Sequence, residues 1–355
     1  MMDKINVGVL FGGKSGEHEV SLISAFNVMN AIDRERYNII QIGITKTGQW
    51  LLYYGSDENI KNNTWQNDIQ NVIVDKAEIN ETLNSVDIFF PVLHGPNGED
   101  GTVQGYFEVL AKPYVGCGVF ASSAGMDKVA AKVLFENAKI PIVPYISFLS
   151  EEWEKSKNEL IDKMEQHLGY PIFIKPVNMG SSVGINKVKN KENLLNAVDN
   201  ALKYDNKVLA EKFISAREIE CAVLGNYHAK ASTAGEIIPS REFYDYASKY
   251  LDGDESKIEI PANVSKEQMN LIKAYALKAF KAIDGSGLSR VDFFINKENG
   301  DIYINEINTM PGFTQISMYP KMIVYDGMNY KELIEELIKL GFERHEKRTN
   351  RKTEL

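Results

Sequence analysis

Apolar and polar positions alternate along the chain with the periods of strands and helices, and they divide it into three regions. The first region opens with an apolar run over 5–11 that ends in two glycines, followed by a helical pattern over 21–32. Further apolar runs over 39–44 and 86–92 predict strands. Because strands alternate with a helix, we expect a parallel, three-layer α/β domain over residues 1–125.

The second region, 126–225, combines amphipathic helices with short strands. Helical patterns occur at 128–138, 152–167 and 192–204, and strand patterns at 171–175, 208–213 and 218–224. A loop rich in Gly and Ser follows the first of these strands. The pattern predicts a mixed α/β lobe.

Two helices are predicted in the third region, 226–342. The longer one begins at a Ser-Lys-Glu-Gln capping box, and an amphipathic helix follows over 330–340. A polar, Tyr-rich loop of about 20 residues lies between Ile238 and Ile260, and a loop of that length in a compact domain is usually functional or disordered. The charged tail 343–355 is expected to be disordered.

A predicted hairpin in this region carries the most informative chemistry. Its strands, 291–295 and 302–306, are joined by a Gly-containing turn. Strand residues two apart share a face, so Asp292, Glu306 and Asn308 can converge beside Arg290. Oxygen ligands next to a guanidinium suit Mg²⁺ held against a polyphosphate. The alternative is an ordinary solvated hairpin face.

A second candidate site is the loop 175–184, in which Lys175 follows the strand and small residues follow the lysine. A lysine and free backbone N–H groups are suited to phosphate oxygens, and glycines at 180 and 184 permit close approach. The alternative is a simple hairpin turn. Together with Lys128 upstream and the acidic hairpin downstream, the loop indicates a nucleotide site.

Residues 8–15 fit the pattern G-x-x-x-x-G-K-[ST] of a P-loop, but we do not expect one. Val9, Leu10 and Phe11 belong to the predicted strand, so they cannot form the compact loop that wraps a phosphate. The glycines still mark a strand end where a ligand could approach. Glu17, just beyond them, could hold a substrate ammonium or could simply be a carboxylate favoured at a helix start.

Composition restricts the class of protein. The 355 residues are 44% hydrophobic with a net charge of −9, which suits two or three packed domains and argues against nucleic-acid binding through overall charge. We see no signal peptide and no apolar stretch of about 20 residues that could span a bilayer. Cys117 and Cys221 lack metal-site spacing and are expected to be small buried residues. A cytoplasmic protein without membrane or nucleic-acid partners is expected.

Seven segments in order carry a resemblance to a known family. They include His-Gly-Pro-Asn-Gly-Glu-Asp-Gly at 94–101 and Asn-Glu-Ile-Asn-Thr-Met-Pro-Gly-Phe-Thr at 305–314; the others lie at 11–21, 126–128, 175–184, 243–250 and 289–292. On these motifs the chain resembles the ATP-grasp ligases and, within them, the D-alanine–D-alanine ligase family. The resemblance runs from Val7 to about Leu340. It implies an α/β fold in which a Rossmann-like three-layer domain is followed by a two-lobed ATP-grasp fold.

The resemblance also implies a nucleotide and metal site. Two Mg²⁺ (or Mn²⁺) ions would bind Asp292, Glu306 and Asn308, and a monovalent cation could take part. The residues implied to contact ATP are Lys128, Lys175, Ser181, Ser182, Glu211, Phe213, Ile214, Glu218 and Lys249.

Substrate roles follow from the same resemblance. Glu17 would bind the ammonium of the first D-alanine and His94 would lie near its carboxylate, whereas Ser317 and the Met318 backbone would hold the second D-alanine. Arg290 and the N–H of Gly312 would stabilise an oxyanion. Tyr250 and Lys249 belong to a loop, 239–256, that would close over the site through Tyr250, Ser181 and Glu17. The resemblance also implies a homodimeric enzyme of peptidoglycan precursor synthesis.

Two questions stay open on sequence alone. The general base for the attacking amine is not identified, and His94 is a candidate for that role or for orienting the first substrate. The acceptor is expected to be D-alanine from the Lys249-Tyr250 pair and from the apolar Met318, with D-serine or D-lactate as alternatives. A different ATP-grasp ligase, a P-loop NTPase using Lys14 and a non-catalytic nucleotide-binding protein are the competing hypotheses.

Overall fold

Three β-sheets of five, four and six strands follow one another in the computed structural model, which describes residues 4–238 and 257–350. The described helices are α1 His18–Ala31, α2 Asp57–Lys61, α3 Lys76–Ser85, α4 Thr102–Val109, α5 Val119–Met126, α6 Lys128–Asn137, α7 Ser150–His167, α8 Lys191–Ala201, α9 Lys266–Ala282, α10 Met318–Tyr325 and α11 Tyr330–Thr349. The described strands are β1 Ile5–Gly12, β2 Tyr37–Ile44, β3 Trp50–Tyr53, β4 Val72–Ile73, β5 Ile88–Pro91, β6 Tyr145–Leu149, β7 Ile172–Pro176, β8 Asn186–Val188, β9 Lys207–Lys212, β10 Ala216–Leu224, β11 Lys230–Ala231, β12 Gly235–Ile238, β13 Lys257–Glu259, β14 Leu288–Asn296 and β15 Ile302–Asn308. No described helix is both long and apolar enough for a transmembrane span.

The first sheet has the order β4-β3-β2-β1-β5, and only its β2-β1-β5 part is parallel. Strands β3 and β4 add antiparallel pairs at one edge, so the expectation of a wholly parallel sheet is wrong there. The reason is the short connection after β2, where Thr45 N–H donates to Gln49 O and Gly48 takes a φ of 89°. A connection this short can form a hairpin but cannot hold a crossover helix.

The second sheet, β6-β9-β7-β8, is antiparallel throughout and packs on α7 and α8. Trp153 and Met164 of α7 and Leu194 and Val198 of α8 are buried in this core. Both helices present one apolar stripe to the sheet, which is the pattern that the sequence predicts for 152–167 and 192–204.

The third sheet has β10 at its centre, paired with β12 on one side and β14 on the other. The predicted boundary at residue 225 separates β10 from both partners. In the structure, β10 pairs with strands that follow this boundary. Helix α9 covers this sheet and begins at the predicted capping box, in which Ser265 and Gln268 exchange hydrogen bonds.

One large core joins the two ends of the chain. Leu333, Leu337 and Ile338 of α11 are buried in the same cluster as Val9 of β1 and Phe90 of β5. The last helix therefore packs on the first domain, although it follows the third sheet in sequence. Cys117 and Cys221 are both free and buried, as expected, and burial raises the pKa of their thiols to about 11 and about 12.

The predicted disordered tail is wrong for residues 343–349, since α11 continues to Thr349. The guanidinium of Arg344 lies 3.8 Å from the ring centre of Tyr114 and donates to its hydroxyl at 3.1 Å. Arg344 and Arg348 both pair with Glu108, at 3.5 and 2.6 Å. These contacts anchor the extra turns to the first domain; residues 351–355 lie outside the described residues.

We expect Arg344→Ala to lower the free energy of unfolding by about 2 kcal/mol, because it removes a stacked and half-buried guanidinium. Lys347→Ala is the matched control, since Lys347 is exposed and its ion pair with Glu343 lies within α11. Urea unfolding followed by circular dichroism measures both variants. Equal losses in the two would contradict the anchoring role of Arg344.

Candidate active site

The predicted hairpin is present, and its register brings the polar residues together. Asp292 of β14 lies opposite Glu306 of β15, and Arg290 lies opposite Asn308. These four residues are partly accessible, whereas Val291 and Ile307, which alternate with them, are buried. The expected convergence on one face is therefore confirmed.

A β-bulge makes this arrangement possible. The register of β14 with β15 shifts after Asp292, so that Phe293 pairs with Ile304 and Asn305 is the extra residue. Without the shift, Ile304 would share a face with Glu306. The bulge directs Ile304 into the core and Glu306 toward the cleft.

Arg290 is held by two carboxylates on neighbouring strands. Its Nε and Nη2 donate to the two oxygens of Asp292 at 2.8 and 2.7 Å, and its Nε also lies 3.0 Å from Glu220 Oε2 of β10. Burial lowers the pKa of Arg290, but the charges of Asp292 and Glu220 outweigh it and raise that pKa well above the usual value. Arg290 is thus a fixed cation in the floor of the cleft.

The remaining predicted metal ligands adjoin this pair. Asn308 Nδ2 donates to Asp292 Oδ2 at 3.0 Å, and Glu306 Oε2 lies 3.7 Å from Lys128 Nζ. Among residues 4–238 and 257–350, no group of three or more Asp, Glu, His or Cys side chains is arranged as a ready-made metal site. The oxygen donors lie together, but Arg290 occupies both oxygens of Asp292.

The predicted phosphate loop connects β7 to β8 of the second sheet and lines the same cleft as the hairpin. Ser181 and Ser182 have φ values of 50° and 60°, a left-handed conformation that is costly for residues with a side chain and is concentrated at functional sites. Lys128 Nζ donates to Met179 O at 2.8 Å, and Asn178 is fixed to Asp205 through both its N–H and its amide. The loop is therefore held by the residues around it.

Lys175 lies at the base of this loop and shares a buried carboxylate. Its Nζ is 2.6 Å from Glu211 Oε2, and Lys132 Nζ is 2.5 Å from Glu211 Oε1. Burial raises the pKa of Glu211, but the charges of Lys132 and Lys175 outweigh it and lower that pKa to about 2. Glu211 is thus an anion with one ammonium on each oxygen.

The other residues predicted to bind adenine and ribose lie beside Glu211. Phe213 and Ile214 are half-buried directly after β9, and Lys187 Nζ lies 3.9 Å from the ring centre of Phe213. Glu218 is half-buried on β10, on the same face as Glu220. The structure thus places this segment at the junction of the second and third sheets.

Glu17 meets the phosphate loop from the first domain. Ser181 Oγ donates to Glu17 Oε1 at 2.5 Å. The backbone approaches closely at two glycines, because a Cβ built at Gly95 or Gly180 would lie 2.7 Å from Glu17 Oε2. The Glu17–Ser181 part of the expected closure is present; Tyr250, Lys249 and the loop 239–256 lie outside the described residues.

His94 is buried, and both of its ring nitrogens have partners. Nδ1 lies 3.0 Å from Met310 O and Nε2 lies 3.2 Å from Ser24 Oγ. A neutral ring that donates from Nδ1 and accepts from the Ser24 hydroxyl satisfies both contacts. Burial lowers the pKa of His94 against the opposing charge of Glu17.

Glu99 links the same loop to the turn after β15. It accepts from Gly95 N–H at 2.8 Å and from Met310 N–H at 3.1 Å. Burial, reinforced by the charge of Glu17, raises the pKa of Glu99 to about 8 against these two hydrogen bonds. Glu99 therefore fixes the position of the backbone that leads to Gly312.

The predicted acceptor residues divide into two environments. Gly312 lines the cleft, and a Cβ there would lie 2.7 Å from Ser317 Oγ. Ser317 Oγ accepts from Thr314 N–H at 3.0 Å. Met318 is only 4% exposed and belongs to the large core, where its terminal methyl faces Gly235. Only the backbone of Met318 remains a candidate for substrate contact.

These residues surround one polar cleft between the sheets. Its walls are formed by Glu17, Val20, His94, Glu99, Gly125, Met126, Lys128, Met179, Gly180, Ser181, Arg290, Glu306, Ile307, Asn308, Thr309, Met310, Pro311 and Gly312. Lys14 is exposed, and Val9, Leu10 and Phe11 are buried in β1, so the rejection of a P-loop is confirmed.

Four residues of this region were missed by sequence reasoning. Lys132 lies one turn after Lys128, Glu220 two residues after Glu218, and Glu99 within the motif 94–101. Those spacings were available signals. The buried hydroxyl of Ser24, which contacts His94 and Phe313, has no comparable signal.

Comparison with known proteins decides the family. Residues 6–117 match the family model described as D-ala D-ala ligase N-terminus, and residues 134–339 match D-ala D-ala ligase C-terminus. The chain belongs to the D-alanine–D-alanine ligase family.

Relatives of the family cover nearly the whole chain. The D-alanine–D-alanine ligase of Ruminiclostridium cellulolyticum is 50% identical, with 97% of each chain covered, and that of Acetivibrio thermocellus is 49% identical, with 97% and 98% covered. The VanG D-Ala:D-Ser ligase of Enterococcus faecalis is similar in structure, with a TM-score of 0.86, 40% identity and coverage of 96% and 100%. The D-alanine–D-alanine ligase of Coxiella burnetii has a TM-score of 0.83 at 33% identity, with coverage of 98% and 97%. The expected family and ATP-grasp fold class are confirmed.

The low pKa of Glu211 has a consequence for acid stability. A carboxylate whose folded pKa is about 2 rather than 4.5 stabilises the fold above pH 4.5, and this contribution is lost as the pH falls from 4.5 toward 2. Its size is about 3 kcal/mol. We expect the unfolding free energy of Glu211→Gln to fall less steeply with acidification than that of the unchanged protein. Urea unfolding between about pH 5 and about pH 3 measures the slopes; identical slopes would contradict the assignment.

Proposed function

We propose that this chain joins two D-alanine molecules at the expense of ATP, through a D-alanyl phosphate, to give D-alanyl-D-alanine, ADP and phosphate. The observation that carries the proposal is the row of Arg290, Asp292, Glu306 and Asn308 on one face of the β14–β15 hairpin, opposite the loop after Lys175. Family membership supports the same reaction. The cleft thus has groups for a polyphosphate on one wall and groups for an amino acid on another.

In this proposal the nucleotide lies between the second and third sheets. Lys128 and Lys175 contact its phosphates, and Ser181 and Ser182 supply donors from the left-handed turn. The segment 211–214 reads the adenine edge. Glu218 binds the ribose, and Lys249 contributes from the loop that the structure does not describe.

The donor set fits hard divalent cations. Asp292, Glu306 and Asn308 offer only oxygen ligands, which is the preference of Mg²⁺ and suits Mn²⁺ as well. Arg290 now holds both oxygens of Asp292, so a cation there would compete with the guanidinium. When bound, two such ions would neutralise charge on the transferring phosphoryl group. A monovalent cation is a further expectation.

The chemistry explains why ATP is needed. A carboxylate is a poor acylating agent, because oxide would have to leave, whereas an acyl phosphate has a stable leaving group. Transfer of the γ-phosphoryl group to the first D-alanine prepares its carbonyl for attack by the second amine. Positioning of the reacting groups and the positive charges of the lysines supply most of the rate acceleration of this phosphoryl transfer.

The residues of the other wall would bind the amino acids. Glu17 holds the ammonium of the first D-alanine, and His94, buried with both nitrogens engaged, orients that substrate rather than acting as the base. Arg290 and Gly312 N–H stabilise the oxyanion formed by attack. Removing one such donor costs roughly 10²–10³ in rate. Ser317 and the Met318 backbone face the second substrate.

D-Serine is the second candidate acceptor, because a D-Ala:D-Ser ligase is among the structural relatives. D-Alanine is favoured by the names of the relatives at about half identity. The burial of Met318 removes the argument that its side chain selects a methyl group. Acceptor choice therefore depends on the cleft backbone and on the segment 239–256.

The proposal also covers the domain boundaries, the oligomeric state and the cellular location of the protein. We place domain boundaries near 125 and near 215, the latter moved from 225 because β10 pairs in the third sheet. A homodimer working in the cytoplasm on peptidoglycan precursors is what membership of the family supports.

The purified protein is expected to release phosphate when given ATP, Mg²⁺ and D-alanine. Lys175→Ala should lower this rate by at least about 10²-fold, because a phosphate-binding charge is lost. Lys14→Ala should leave it unchanged, since Lys14 is exposed outside the cleft. The opposite ranking of the two variants would favour a P-loop enzyme.

An acceptor screen tests the second substrate. With D-alanine at the first site, we expect kcat/KM for dipeptide formation to be highest with D-alanine as acceptor, followed by D-serine and D-lactate. Mass spectrometry of the products measures each. Turnover that requires D-serine or D-lactate would overturn the D-alanine assignment.

Binding of Mn²⁺ in the presence of ADP tests the metal ligands without turnover. We expect Asp292→Asn to weaken Mn²⁺ binding at least about tenfold, because it removes a charged oxygen ligand. Asp301→Asn, at the exposed turn of the same hairpin, is the matched control and should bind as the unchanged protein does. Electron paramagnetic resonance of free Mn²⁺ gives the affinities; equal values for the two variants would place the metal elsewhere.

A further inference from the structure

A buried cluster of three charges adjoins the proposed nucleotide site, and one of its members, Lys132, has no part in the contacts proposed so far. The side chains of Lys132 and Glu211 are each 2% exposed, and that of Lys175 is 10% exposed. A buried charge is costly unless it is paired, so three in contact require an explanation beyond packing.

The fold places Lys132 where it cannot touch a substrate. Lys128 and Lys132 are one turn apart on α6, but Lys128 reaches the phosphate loop and Glu306, whereas Lys132 reaches beneath it to Glu211. The ring of Tyr145, which pairs with Glu211 across the second sheet, lies 5.5 Å from Lys132 Nζ. Lys132 can therefore act on a ligand only without touching it, and its nearest charged partner is Glu211.

Glu211 can neutralise only one of the two ammonium groups that contact it. With Lys132 on Oε1 and Lys175 on Oε2, the cluster has a formal net charge of +1 when both lysines are protonated. Lys175 is the more accessible cation and lies at the base of the loop 177–184. Without Lys132, the charge of Glu211 would be directed at Lys175 alone.

We propose that Lys132 is a positioning residue of the nucleotide site: by forming an ion pair with one oxygen of Glu211, it leaves the positive charge of Lys175 available to the phosphates of ATP. The inference rests on the placement of the nucleotide proposed above. The state of Glu211 is consistent with it, because a carboxyl with a pKa of about 2 is an anion throughout the neutral range.

Comparing ADP with adenosine isolates the phosphate contribution. In the full-length protein, Lys132→Met should weaken ADP binding at least about tenfold and leave adenosine binding within about twofold, because only ADP carries phosphates. Isothermal titration with Mg²⁺ present measures both. Lys163→Met is the control for net charge, since Lys163 is exposed on α7. It should change neither affinity.

Two further variants separate positioning from support of the fold. Lys132→Arg keeps the charge and should retain the ADP-to-adenosine affinity ratio. Lys132→Met with Glu211→Gln removes both buried charges and returns the cluster to +1, so it should recover most of that ratio relative to Lys132→Met alone. Lys132→Gln, which can still donate to Glu211, supplies the comparison if the Met variant does not fold.

The binding measurements distinguish failure of the Lys132 role from failure of the proposed nucleotide site. A folded Lys132 variant that binds ADP normally, or one that loses ADP and adenosine binding equally, overturns the positioning role. Failure of the unchanged protein to bind ADP would instead overturn the placement of the nucleotide on which the inference rests.

Discussion

The register of β14 against β15 is the constraint on which the cleft depends. It is fixed by the apolar residues Val291, Phe293 and Ile295, which must all face the core of the third sheet. Slipping the pairing by one residue would exchange the core face for the cleft face. The polar residues of the hairpin thus owe their positions to hydrophobic burial on its other side.

Charge balance is the second constraint on the cleft. Arg290 lies between Asp292 and Glu220, Glu211 lies between Lys132 and Lys175, and each group is charged and largely withdrawn from water. Pairing offsets the cost of burial in each case. In the proposed binding mode, a nucleotide and its cations would have to exchange partners with charged groups that are already paired.

Local patterns predicted the elements that carry the site, but they could not predict all of its contacts. The run 291–295 and the spacing of Glu306 and Asn308 identified the hairpin, yet strict alternation would have put Ile304 on the same face as Glu306. The bulge that resolves this conflict depends on the core beneath it. The pairing of β10 in the third sheet, the burial of Met318 and the extension of α11 to Thr349 likewise depend on contacts between segments far apart in sequence.

The central claim is that one triphosphate bridges Lys175 and the acidic face of the hairpin. The most direct measurement is a crystal structure with Mn²⁺ and a non-hydrolysable ATP analogue, using anomalous scattering to locate the metal. The account predicts manganese peaks bonded to oxygens of Asp292, Glu306 and Asn308, with the phosphates reaching Lys128 and Lys175. Manganese bound away from the hairpin, or phosphates bound at Lys14 beyond the end of β1, would contradict it.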